Sequence, residues 1–65
     1  MPLFINGQLQ QTNVTFLAEL LQELNFDVSA VACAIDGNFI PRHLHSSTAL
    51  CAGQKIEVLA PMQGG

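Results

Sequence analysis

Lys55-Ile56-Glu57-Val58-Leu59-Ala60, running into Pro61-Met62-Gln63-Gly64-Gly65, holds the alternation around which the rest of the chain can be arranged. Successive side chains of a strand point to opposite faces, so Ile56 and Val58 share one face and Lys55, Glu57 and Leu59 share the other. Pro61 brings no N–H to a ladder and Gly64-Gly65 has no side chains to pack, so the strand stops there. The reading is a folded unit over 1–60 and a flexible tail over 61–65.

Upstream, Arg42 to Gly53 has no clear period and is expected to be a loop with short helical turns. Before it, Val31 to Ile35 is an apolar strand, Asp36-Gly37-Asn38 a strong turn signal, and Phe39-Ile40 the return. Pro41 ends that pairing or marks a sheet edge. At the other end Leu3-Phe4-Ile5 reads as a strand. Asn6-Gly7 supplies the positive φ angles of a type I′ hairpin turn. Gln8 to Gln11 returns as a weak, polar edge strand.

Between the two hairpins lies a helix of about ten residues. Leu17, Leu20, Leu21 and Leu24 fall at i, i+3, i+4 and i+7, one apolar stripe, with Glu19, Gln22 and Glu23 opposite. Thr15 is the expected N-cap, and Asn25 suits the left-handed residue that closes a helix. A helix lying across one face of a mixed sheet buries these stripes economically. A right-handed crossover then puts the later strands beside the first. With the final strand parallel to the first and near the sheet centre, the fold is α+β: a ubiquitin-like β-grasp with four to five strands and one helix.

Strand parity carries a further expectation. With Leu3 and Ile5, Val31, Cys33 and Ile35, and Ile56 and Val58 facing the helix, the bare face holds Phe4, Leu59, Ala32 and Ala34. Lys55 and Glu57 rim it. Apolar patches of this kind mark protein-docking surfaces, and Phe4, Leu59, Lys55 and Glu57 are the docking candidates.

Composition limits the function classes. The 65 residues accommodate one domain; 49% are hydrophobic, 11% are charged, and the net charge is −3. Such a chain is too apolar for disorder. Two isolated cations, Arg42 and Lys55, cannot supply the clustered charge that nucleic-acid binding needs. An acidic chain suits a basic protein surface instead. No segment approaches the roughly 18 apolar residues of a membrane span, and Met1 to Gln11 is not a secretory leader. The expectation is a cytoplasmic protein, monomeric when alone.

The titratable groups offer little catalytic equipment. Cys33 has the inward parity of a core hydrophobe, and Cys51 falls in the loop with no neighbouring cation to activate it. His43, His45 and Cys51 lack a fourth ligand at metal-site spacing, so they read as loop residues and no metal is expected. Arg42 is either a solvated loop residue or a partner for an acidic group on another protein. The Gly-Gly end remains. At an average Gly content of about 7%, it arises by chance in roughly one chain in 200. Two residues without Cβ do suit a segment that must enter a narrow channel in another protein.

Taken in order, the opening strand with Asn6-Gly7, Thr15 before Leu20-Leu21 and Leu24, and the Asp36-Gly37-Asn38 turn form a pattern. Pro41-Arg42, then Gly53-Gln54-Lys55-Ile56-Glu57-Val58 and Gln63-Gly64-Gly65 complete it. Over essentially its whole length the chain resembles the ThiS family, the sulfur-carrier proteins of thiamin thiazole biosynthesis. Met62, Cys51, His43 and His45 depart from the family pattern without touching the reacting end.

The resemblance implies a carrier and co-substrate that is not itself an enzyme. A ThiF-like enzyme would adenylate the Gly65 carboxylate with ATP and magnesium, neither of them bound by this chain. A persulfide sulfur donor would then displace AMP and leave a thiocarboxylate, and a ThiG-like thiazole synthase would accept that sulfur. Gly64, Gln63 and Met62 would thread the partner active sites. The alternatives are a MoaD-like carrier for molybdopterin synthesis, whose chains are typically longer, a ubiquitin-like modifier that ends in an isopeptide bond, and a plain β-grasp interaction module whose glycines are incidental.

Overall fold

The alternating segments pair into one mixed sheet in a computed structural model that describes residues 1–60. In chain order the elements are β1 (Pro2–Ile5), β2 (Gln8–Gln11), α1 (Leu17–Glu23), β3 (Ala32–Ile35) and β4 (Asn38–Ile40). A 3-10 helix (Arg42–Ser47) and β5 (Lys55–Leu59) follow. The sheet order is β2-β1-β5-β3-β4, with β5 parallel to β1 and antiparallel to β3. This is the β-grasp arrangement expected from the sequence.

Both hairpins turn on two residues with positive φ, which glycine tolerates and Asn and Asp accept more readily than other residues. Asn6 and Gly7 have φ 49° and 84°, and Asp36 and Gly37 have φ 50° and 85°. The second turn is therefore Asp36-Gly37 alone; Asn38 opens β4, opposite Ile35.

Helix α1 lays Leu17, Leu20 and Leu21 on the sheet, each with no exposed surface. They meet Leu3 and Ile5 of β1, Cys33 and Ile35 of β3, and Ile56 and Val58 of β5, with Val31 and Leu50 closing the core. The helix is shorter than its apolar stripe suggests. Leu24 is its half-buried C-cap, and Asn25 takes the left-handed conformation, φ 62°, that ends it.

Thr15 does not cap the helix. The Thr15 carbonyl accepts the Leu50 N–H at 2.8 Å, and Phe16 forms an isolated bridge with Ala49. Thr15-Phe16 is thus held extended, and the N-cap position falls on Phe16, whose side chain has no acceptor. Glu19 supplies the acceptor instead: its Oε1 takes the N–H groups of Thr15 at 3.0 Å and Phe16 at 2.9 Å.

The segment without period, 42–53, contains the 3-10 helix and ends in a turn at Gly53, φ 85°. His45 anchors the helix from inside. It is buried, with Nε2 3.1 Å from the Ile40 carbonyl.

Candidate functional site

The faces of the sheet divide as strand parity requires. Ile56 and Val58 are buried under α1, whereas Lys55, Glu57 and Leu59 are exposed on the opposite face. Phe4 lies beside Lys55 in the β1–β5 register and projects from the same face. Of the two apolar docking candidates Leu59 is the more open, 71% exposed against 38% for Phe4. Ala32 is exposed and Ala34 half-buried on that face, opposite Leu59 and Glu57 respectively.

The structure adds two apolar side chains to the patch. Leu9 stands opposite Phe4 across the first hairpin, and Phe39 stands opposite Ala34 across the second. They are 59% and 67% exposed. Both were within reach of the sequence, since a two-residue turn fixes the register of its hairpin and places Phe4 with Leu9. Reading the second turn as three residues, Asp36-Gly37-Asn38, hides the equivalent pairing of Ala34 with Phe39.

Two hollows indent this face. The larger, an open groove of about 580 Å³, is lined by Phe4, Asn6, Gly7, Lys55, Ile56 and Glu57. The smaller, about 80 Å³, lies where Ala32 and Ala34 leave room between Phe39 and Leu59. Lys55 and Glu57 put one charge of each sign along the central strand. Lys55 and Glu57 therefore do not rim the patch as expected: they sit on the central strand among the large apolar side chains, whereas protein interfaces more often keep charge at the rim.

The remaining candidates separate from one another. Cys33 is buried in the core, and burial pushes its thiol pKa up, which leaves it a poor nucleophile. Cys51 and His43 are exposed, whereas His45 is buried against Ile40. Among the described residues no group of three or more His, Cys, Asp or Glu side chains could hold a metal ion. Arg42 is exposed, and its charge adds to the Ser29 hydrogen bonds that hold Asp27 below the ordinary carboxylate range. No helix among the described residues is long and apolar enough to cross a membrane. Met62, Gln63, Gly64 and Gly65 lie outside the described residues.

A sheet with its last strand at the centre, one α-helix on one face and an open apolar face opposite defines the β-grasp class, a fold that by itself does not fix a function. The chain matches the family model of the ThiS family over residues 3–65. A crystal structure of the thiamine biosynthesis protein ThiS from Geobacter metallireducens superposes with TM-score 0.85. Identity is 26%, and both chains are covered completely. An NMR solution structure of a thiamine biosynthesis protein from the same organism gives TM-score 0.83 at 26% identity, covering all of this chain and 88% of the other. No curated protein sequence matches the chain. The chain belongs to the ThiS family, small sulfur carriers of thiamine biosynthesis that are not themselves catalysts.

Proposed function

We propose that the chain carries sulfur on the Gly65 carboxylate for assembly of the thiazole ring of thiamin. The observation that carries this reading is the position of β5. It is the central strand, parallel to β1, its last residue Leu59 is exposed on the bare face with Phe4, and Gly64-Gly65 follow it in the sequence.

A carboxylate is a poor electrophile, so the chemistry begins with activation. An adenylating enzyme of the ThiF type joins the Gly65 carboxylate to the α-phosphate of ATP, with magnesium, and pyrophosphate leaves. The terminal sulfur of a persulfide attacks the acyl carbon and AMP departs. A second thiol then cleaves the S–S bond, leaving a thiocarboxylate. Its sulfur is more nucleophilic than the oxygen it replaces, and a thiazole synthase of the ThiG type takes it up. Met62, Gln63 and Gly64 form the segment that enters the partner sites. Phe4, Leu59, Lys55 and Glu57, extended by Leu9 and Phe39, form the face on which the adenylating enzyme docks. The net charge of −3 favours a basic surface on that enzyme.

The test is transfer of AMP from labelled ATP in the presence of a ThiF-type enzyme. Label on the full chain, with none on a chain lacking Gly65, supports the proposal. No label on the full chain refutes it. An isopeptide conjugate with a second polypeptide would place the chain among the modifiers.

A further inference from the structure

Strand β1 supports β5 over only part of its length. The two strands are in register at Phe4 with Lys55 and Ile5 with Ile56, and the last backbone bond runs from Asn6 N–H to the Ile56 carbonyl at 2.9 Å. There the chain leaves β5 for the Asn6-Gly7 turn. Val58, whose backbone groups point toward β1, would be left without a strand partner on that side. The Asn6 side chain takes the place of the missing rung. Its Oδ1 accepts the Val58 N–H at 2.8 Å and its Nδ2 donates to the Val58 carbonyl at 3.2 Å.

The other hairpin shows why the residue is Asn. Asp36 holds the corresponding first position of the second turn, with nearly the same φ. It grips the opposite end of β5: its Oδ1 accepts the Lys55 N–H at 2.9 Å, and its own backbone N–H donates to the Lys55 carbonyl at 2.8 Å. At Lys55 the side chain need only accept, because the backbone supplies the donor. At Val58 the side chain must both accept and donate, and the Asn amide does so through two separate atoms, Oδ1 and Nδ2, where a carboxylate could only accept. The turn alone asks for positive φ, which glycine or Asp would equally provide. The paired bonds to Val58 exceed what the turn requires.

We propose that Asn6 is a positioning residue for the carrier reaction. By clamping β5 at Val58 it fixes the direction in which the chain leaves the sheet toward Gly65. This inference rests on the carrier reading above. Docking on the bare face brings the protein to its partner. The fraction of docked complexes with the carboxylate in attack geometry depends on how firmly β5 is held up to its exit, and small misplacements of reacting groups are costly in rate.

The experiment compares wild type, Asn6→Gly and Asn6→Asp in steady-state adenylation and in amide hydrogen exchange. Asn6→Gly keeps the turn conformation and removes the clamp. Its Val58 amide should exchange faster by about tenfold or more while Cys33 and Ile56 stay protected. Its kcat should fall about tenfold, a larger change than in KM, because Phe4 and Leu59 are untouched although Asn6 lines the groove beside Phe4. Asn6→Asp keeps the acceptor but turns a carboxylate oxygen toward the Val58 carbonyl, so its kcat should fall at least as far as that of Asn6→Gly.

An adenylated wild type with an unaffected kcat in Asn6→Gly overturns the positioning role alone. Equal loss of protection across β1, β3 and β5 would make Asn6 a residue of general stability and overturns it too. A wild type that takes no AMP overturns the carrier reading, and the positioning role with it.

Discussion

Two backbone amides at the start of α1, those of Thr15 and Phe16, share one acceptor, the Glu19 carboxylate. Those bonds, Phe16 first and Thr15 second, hold the Glu19 pKa below its ordinary value. The unfolded chain therefore binds a proton at Glu19 more readily than the native one. The contribution of Glu19 to stability is complete above the ordinary carboxylate pKa and is lost as pH falls through the depressed folded value. Glu19→Ala should lower the melting temperature at neutral pH, and the gap from wild type should close in acid. Thermal denaturation of both proteins at neutral and acid pH checks this; a gap that persists in acid would assign the effect to something other than the charge-assisted cap. Thr15 looks like the cap in sequence because its hydroxyl suits the role. Nothing local announces that Leu50, far along the chain, takes its carbonyl.

The helix and the hairpins were legible for opposite reasons. A hairpin turn is a local choice: Asn6-Gly7 states it in two residues, while Asp36-Gly37-Asn38 signals the second turn one residue too long, since Asn38 already pairs with Ile35. The helix is an amphipathic pattern, and three of its four leucines are fully buried where the period places them. An element as short as Leu17–Glu23 holds its shape through packing more than through its own propensity. Leu20→Ala should accordingly cost about 3 kcal/mol through lost burial and the cavity left behind. That is a large share of a small domain's stability of about 5 kcal/mol. Urea denaturation measures it, and a loss below about 1 kcal/mol would show that the sheet recloses around the gap. The segment 42–53 was legible as a loop with short helical turns, which its 3-10 helix bears out, but not what holds it: the His45 bond to the Ile40 carbonyl and the buried Leu50 side chain leave no period.

Across the molecule, the face covered by α1 confers stability and the bare face is free for function. Phe4, Leu59, Lys55 and Glu57 followed from parity alone, whereas Leu9 and Phe39 needed the hairpin registers. Leu59→Glu changes an exposed side chain, so stability should stay within about 0.5 kcal/mol of wild type. The KM for the adenylating enzyme should rise about tenfold, since an apolar anchor is lost and a charge is added where docking buries surface. Unchanged adenylation kinetics would remove this face from the partner interface. Such a rise in KM would also contrast with the fall in kcat expected of Asn6→Gly, separating docking from presentation. The cargo was never legible from packing: the physics of a Gly-Gly segment is shared by carriers and modifiers, and only the family pattern points to sulfur.

The most direct measurement is the mass of the C-terminal peptide after incubation with ATP, a ThiF-type enzyme and a persulfide-generating cysteine desulfurase. The peptide ending in Gly65 should gain the mass difference of one oxygen exchanged for sulfur, and the gain should vanish without ATP. A peptide of unchanged mass, or sulfur found on Cys51 instead, would contradict the account.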